Sequence, residues 1–304
     1  MNMFSIELAL IALLPGIVLC GYVFYKDRIE KEPAGLLTIL FASGFLAYLP
    51  AAFLQSAFFG LIDKTFADKV SFSTIGTATW SSDSAYILHL LLCSFIGHAL
   101  IQTVIKWLVL VFITRKNKNF NYLFDGVIYS VFVSIGFALA ENIHFLSENS
   151  IEFLLPKLLT SVPCHLFIAI LMGYYYTMWH VRYSANVVES HMIKNKTITA
   201  DKVKTSAPWF TASLLVPVMI HGLFFTASSA RNDILTLAFY FVVFFLYGIS
   251  FIIVNDIASK DKRTVAYLFR LISKGHPELS KDDIALAAEQ CMITVTKESK
   301  ENNK

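Results

Sequence analysis

Side chains able to do acid–base or ligand chemistry stand inside stretches that are otherwise apolar, among them His98, Lys106, Glu141, Asn142, His165 and His221. Glu141 carries the most information. A carboxylate within a membrane-spanning segment costs free energy and is found facing a bundle interior or a water-filled cavity, so it marks a functional site. Two imidazoles and a carboxylate can hold a divalent metal with an open position for water. Alternatively, the carboxylate activates water directly while histidines stabilise a developing oxyanion. Both arrangements are those of a hydrolase. For each histidine taken singly, a hydrogen bond across helices is the competing structural reading.

The helices that must position these groups are legible in the composition. Hydrophobic residues make up 56% of the 304, charged residues only 15%, and mean hydropathy is +0.60, which together specify a polytopic membrane protein. The expected fold is all-α, a transmembrane helix bundle of about seven spans with a short helical cytosolic C-terminal tail. Spans are drawn at about 3–25, 34–61, 85–114, 123–146, 157–179, 207–227 and 233–255. Residues 1–256 form the transmembrane unit and 257–304 the tail. The N-terminus has neither the basic segment nor the small-residue cleavage site of a secretory signal, so the first apolar run reads as a retained span.

Basic residues cluster on alternate connections. Lys26, Arg28 and Lys31 follow span one, Arg115, Lys116 and Lys118 span three, Arg182, Lys194, Lys196, Lys202 and Lys204 span five, and Lys260, Lys262 and Arg263 span seven. The opposite connections hold few: Lys64, Lys69, Lys157 and Arg231. The N-terminus is therefore expected outside and the C-terminus inside, in a multi-pass protein of a bacterial cytoplasmic membrane. The net charge of +3 belongs to these loops and gives no ground for nucleic-acid binding. Four cysteines form no CxxC or metal-type spacing and read as small core residues. In the tail, TVAYLFRLISK and SKDDIALAAEQCM fit short amphipathic helices, the second with a Ser280/Asp283 capping box.

Within the spans, polar and small residues recur at i, i+4, which puts them on one helix face. Span three carries Ser94, His98, Gln102 and Lys106, and span five carries Ser161, His165, Ala169 and Gly173. Span four carries Gly126, Ser130, Ser134, Ala138 and Asn142, a ladder that admits a close neighbour, with Glu141 and His144 flanking its end. At ~1.5 Å of rise per residue, His98, His165, His221 and Glu141 fall within roughly 10 Å of the midplane, with Lys106 further inward.

The segment DGVIYSVFVSIGFALAENIHF, with YKDRIEKEP after span one, VPCHLFIAILMGYY around His165 and VMIHGLFF around His221, resembles the PrsW family of intramembrane proteases, relatives of the CAAX-type membrane proteases. The resemblance covers roughly residues 20–230. It implies an intramembrane endopeptidase that cleaves a single-span membrane protein within or near the bilayer, with Glu141, Asn142, His165, His221 and Lys106 as catalytic residues. Glu141, His165 and His221 would be the ligands if a divalent metal such as zinc is used. Two positions depart from the family pattern. Its EExxK motif aligns with Gln102, Thr103 and Lys106, so the lysine is kept without the glutamate pair, and Phe225 stands where Asp or Asn usually follows the last histidine. A pseudoprotease that binds membrane proteins, and an ion-coupled transporter, are the alternative readings.

Overall fold

The structure is a computed structural model that describes residues 3–72, 78–149, 153–200, 203–229, 233–291 and 293. Lys202 and Arg231, two of the charges used for orientation, lie outside the described residues. The helices are α1 (Met3–Lys26), α2 (Ala34–Phe66), α3 (Asp83–Leu91), α4 (Ile101–Thr114), α5 (Asp125–Glu148), α6 (Leu154–Lys194), α7 (Ala207–Ser229) and α8 (Asp233–Ser259), followed by α9 (Thr264–Gly275) and α10 (Lys281–Gln290). Among the described residues, six helical segments are long and apolar enough to cross a membrane, and α1 adds a shorter apolar stretch, Leu14–Lys26. The chain is thus a multi-pass, all-α membrane bundle.

At the centre stands α5. Of its most apolar window 78% is buried, against 28% for α7 and for α8, so α5 is the axle of the bundle and α7 and α8 are peripheral. Two glycine contacts bring neighbours onto it. A Cβ on Gly173 of α6 would stand 2.3 Å from the Gly126 carbonyl oxygen of α5, so the two expected small-residue ridges do meet, backbone to backbone. On the other side, a Cβ on Gly44 of α2 would stand 2.0 Å from the Val133 carbonyl oxygen, and one on Gly136 would stand 2.1 Å from that of Phe41. Where lipid is as apolar as the side chains, such close approach is what holds helices together.

The third span is one rod of α3, a π-helical stretch Leu92–Leu100 and α4. Its wider turn departs from the i, i+4 spacing of the expected Ser94–His98–Gln102–Lys106 ridge, since hydrogen bonds there run i to i+5, yet Ser94, Gln102 and Lys106 are all buried. The fifth span is longer than expected. The α6 helix runs 41 residues, so Arg182 and Lys194, read as loop charges, are helical. At ~1.5 Å per residue such a helix is about twice the thickness of a bilayer's hydrocarbon core and must project beyond it. In the connection between the second and third spans, α2 extends to Phe66, and Val70–Phe72 pairs antiparallel with Ala78–Trp80.

The tail is packed, not loosely solvated. Leu268, Phe269 and Ile272 of α9 and Ile284, Ala285 and Ala288 of α10 form a core with Val181, Ala185, Val188 and Met192 of projecting α6. The Ser280/Asp283 capping box is present. Buried beside this core, Arg182 Nη2 donates to Glu189 Oε2 at 2.6 Å.

At the tail-side end of the bundle, the YKDRIEKEP and DG segments come together. Tyr129 Oη donates to Glu32 Oε2 at 2.7 Å, and Asp125 Oδ2 accepts the Asn121 and Tyr122 amides at 2.8 and 2.7 Å. Asp261 Oδ1 accepts the Phe124 amide at 2.9 Å, joining the α8–α9 turn to the same end. Burial pushes the Glu32 carboxyl up to about 7, the Tyr129 hydroxyl drawing it only part of the way back, and burial lifts Asp261 to about 6. Both raised carboxyls hold protons in the folded state that the unfolded chain has released. Their stabilisation is therefore full below the ordinary carboxylate range and is lost as pH rises through 6 to 7. Thermal unfolding in detergent should show the melting temperature falling across that window, and Glu32→Gln should flatten the fall.

Candidate active site

The site forms where α4, α5, α6 and α7 converge. Glu141 and His165 meet because the Gly126–Gly173 contact sets the register of antiparallel α5 and α6. Glu141 Oε2 stands 3.1 Å from His165 Nε2, and Glu141 Oε1 accepts from Lys157 Nζ at 2.7 Å. The other ring nitrogen, His165 Nδ1, stands 3.3 Å from Lys106 Nζ. An ammonium only donates, so Nδ1 accepts, Nε2 carries the hydrogen and donates to Glu141, and the tautomer follows from the partners. Lys106 is fully buried, its ammonium 5.1 Å from the Phe137 ring centroid. A single carboxylate thus sits between two ammonium groups, one direct and one through an imidazole, which answers the cost of an isolated charge at this depth.

His221 stands beside His165, ring centroids 5.7 Å apart, with Thr103 Oγ1 3.4 Å from its Nδ1. Both imidazoles open onto a cavity of about 440 Å³ whose walls include Lys157, Ser161, Phe225 and Tyr240. Asn142 is buried next to Glu141, and neither atom of its amide has a hydrogen-bond partner among the described residues. Gln102 is buried as well, its Oε1 likewise unpaired.

The structure therefore brings Lys106, Glu141, His165 and His221 together and leaves two expected neighbours apart. The His98 ring is stacked on Phe225, centroids 4.2 Å apart, and its Nδ1 is 3.1 Å from Gln55 Nε2. Phe225 also contacts His221 and so stands between the two histidines. His144 turns away to Tyr48 and Glu148. Lys157 is the participant that sequence reasoning missed. Its signal was present: Lys157, Ser161 and His165 continue one i, i+4 ridge, although a lysine beside Pro156 reads first as the edge of a span.

The residues do not fit a metal ion in this arrangement. Both Glu141 oxygens have cationic or imidazole partners, His165 spends its lone pair on Lys106, and no three His, Cys, Asp or Glu side chains converge in a metal-holding group among the described residues.

A carboxylate poised with imidazoles beside a cavity inside a helical bundle defines the class of intramembrane hydrolases. The chain belongs to the PrsW family: residues 32–251 match the family described as PrsW family intramembrane metalloprotease. It is 27% identical over 248 residues to "Protease PrsW" of Bacillus subtilis (strain 168), covering 81% of this chain and 94% of that one. It is 28% identical over 224 residues to "Protease PrsW" of Geobacillus kaustophilus (strain HTA426), covering 73% and 79%. The same name belongs to a relative from Oceanobacillus iheyensis, 29% identical over 210 residues, 69% of this chain and 77% of that one. No solved structure matches the chain.

Proposed function

We propose that this PrsW-type intramembrane protease hydrolyses a peptide bond of a single-span membrane protein, with Glu141 as general base. The observation that carries the reading is the Glu141 carboxylate held by Lys157 and His165 beside His221 and the cavity. Glu141 takes a proton from a water molecule as that water attacks the scissile carbonyl carbon. The new C–O bond places negative charge on the carbonyl oxygen. A Thr103 hydroxyl donating to His221 Nδ1 leaves the hydrogen on Nε2, and that N–H, with the unpaired Asn142 amide, supplies donors for the oxyanion. Collapse breaks the C–N bond, and Glu141 returns its proton to the departing amine. His165 holds the carboxylate in place, and Lys106 fixes the His165 tautomer.

A divalent ion such as zinc would take Glu141, His165 and His221 as ligands only after Lys106 withdrew from His165, so no step above runs through it. Metal analysis of the purified protein beside Glu141→Gln measures this directly: stoichiometric metal in the former and none in the latter would establish Glu141 as a ligand. The Lys/Arg alternation supports a bacterial cytoplasmic membrane location with the N-terminus outside and the α9–α10 tail inside. Reconstituted protein should cleave a quenched single-span peptide, and His165→Ala should remove that cleavage. Persistence in His165→Ala would overturn the site. Absence from the wild type, with recovery in Gln102→Glu/Thr103→Glu, would replace hydrolysis by binding without cutting.

A further inference from the structure

Pro163 lies inside α6, two residues before His165. Proline has no N–H, so the carbonyl four residues earlier, that of Leu159, has no donor from its own helix. A backbone carbonyl in hydrocarbon must find one elsewhere. Here the donor comes from another helix: Tyr247 Oη of α8 donates to the Leu159 carbonyl oxygen at 3.1 Å.

That bond crosses a cleft between α6 and α8 of about 400 Å³, with walls that include Pro156, Leu159, Thr160, Tyr240, Val243 and Tyr247. Pro156, Thr160 and Tyr240 also wall the cavity onto which His165 and His221 open, so the cleft and the catalytic cavity adjoin. On α8, Phe241 and Phe245 are exposed, the outward surface of a helix that faces lipid. The second helix of the cleft is thus peripheral, and among the described residues the Tyr247–Leu159 bond ties it to α6 at this cleft beside the apolar packing of Val243.

We infer that α8 is a lateral gate, clasped by Tyr247 on the carbonyl that Pro163 leaves open, through which the spanning helix of a substrate passes from the bilayer to Glu141. The inference rests on the protease reading and adds the route. The occupant is an apolar helix, because the cleft walls are apolar and aromatic, the cleft adjoins the catalytic cavity, and a helix arriving from lipid brings no unsatisfied backbone groups. Breaking one hydrogen bond opens the clasp, so its loss should speed entry by roughly two- to tenfold.

The test uses full-length protein in nanodiscs and a fluorescent single-span peptide of about 20 apolar residues with lysine ends. Capture is read in a Glu141→Gln background and cleavage in wild type. Thr160→Cys with Val243→Cys, joined by a reducible thiol cross-linker, closes the cleft; each single variant receives the same treatment to control for Cys164. Capture should fall at least tenfold on cross-linking and return on reduction, which also shows that the variant is folded. Tyr247→Phe should capture faster. Undiminished capture by the cross-linked protein would overturn the route, and unchanged capture by Tyr247→Phe would overturn the clasp. Capture that obeys the gate without any wild-type cleavage would leave the gate standing and remove the protease reading.

Discussion

Glu141→Gln is expected to lower the cleavage rate of a single-span peptide by about 10²–10⁴-fold, the usual contribution of a positioned general base. The amide keeps the size of the carboxylate and loses its basicity. It also leaves Lys157, 2.7 Å away in the native site, without its anion, and breaking one half of a largely buried pair destabilises by itself, by about 3–5 kcal/mol. Glu141→Gln/Lys157→Met separates the two effects. It removes the stranded cation together with the base, so thermal stability in detergent should recover toward wild type while cleavage stays lost. Cleavage that recovers with stability would assign Glu141 a structural role and take the base away from it.

Gly173→Leu should strongly disrupt the bundle at the α5–α6 face. A Cβ at this position meets the Gly126 carbonyl oxygen at 2.3 Å and the Val127 Cα at 2.6 Å, both backbone atoms of α5 that no rotamer change can move aside. Overpacking ordinarily costs about 1–3 kcal/mol, and a collision with two backbone atoms belongs at or above the upper end. The consequence reaches the site, because the same contact sets the register in which His165 meets Glu141. Thermal unfolding should show a large fall in melting temperature, with cleavage lost even below it. Gly21→Ala, where a Cβ meets nothing within 4 Å, should leave both unchanged and serves as the control.

The other cost of this site is legible in its neighbours. Lys106 is a fully buried lysine whose reach ends on an imidazole and an aromatic ring. Thr103, where the family pattern has a glutamate, turns its hydroxyl to His221. The position therefore contributes an orienting hydrogen bond where a carboxylate would have contributed charge.

What the amino-acid order determined by itself was the class and the cast. Composition and hydropathy require a helical membrane bundle, since only closed hydrogen-bonding survives in lipid. The costly Glu141, with the i, i+4 ridges of Gly126 and Gly173, names the helix pair on which the candidate site sits. Tertiary structure alone decided the partners. His98 in the π-helical stretch ends stacked on Phe225, a contact invisible to a ridge drawn on regular helix spacing. Lys157 reads as an edge residue until α5 folds Glu141 beside it. The carbonyl opened by Pro163 could be foretold from the sequence, but not that Tyr247, 88 residues away, would close it. Periodicity specifies a face on one helix, and only the packing of two helices specifies which atoms on those faces touch.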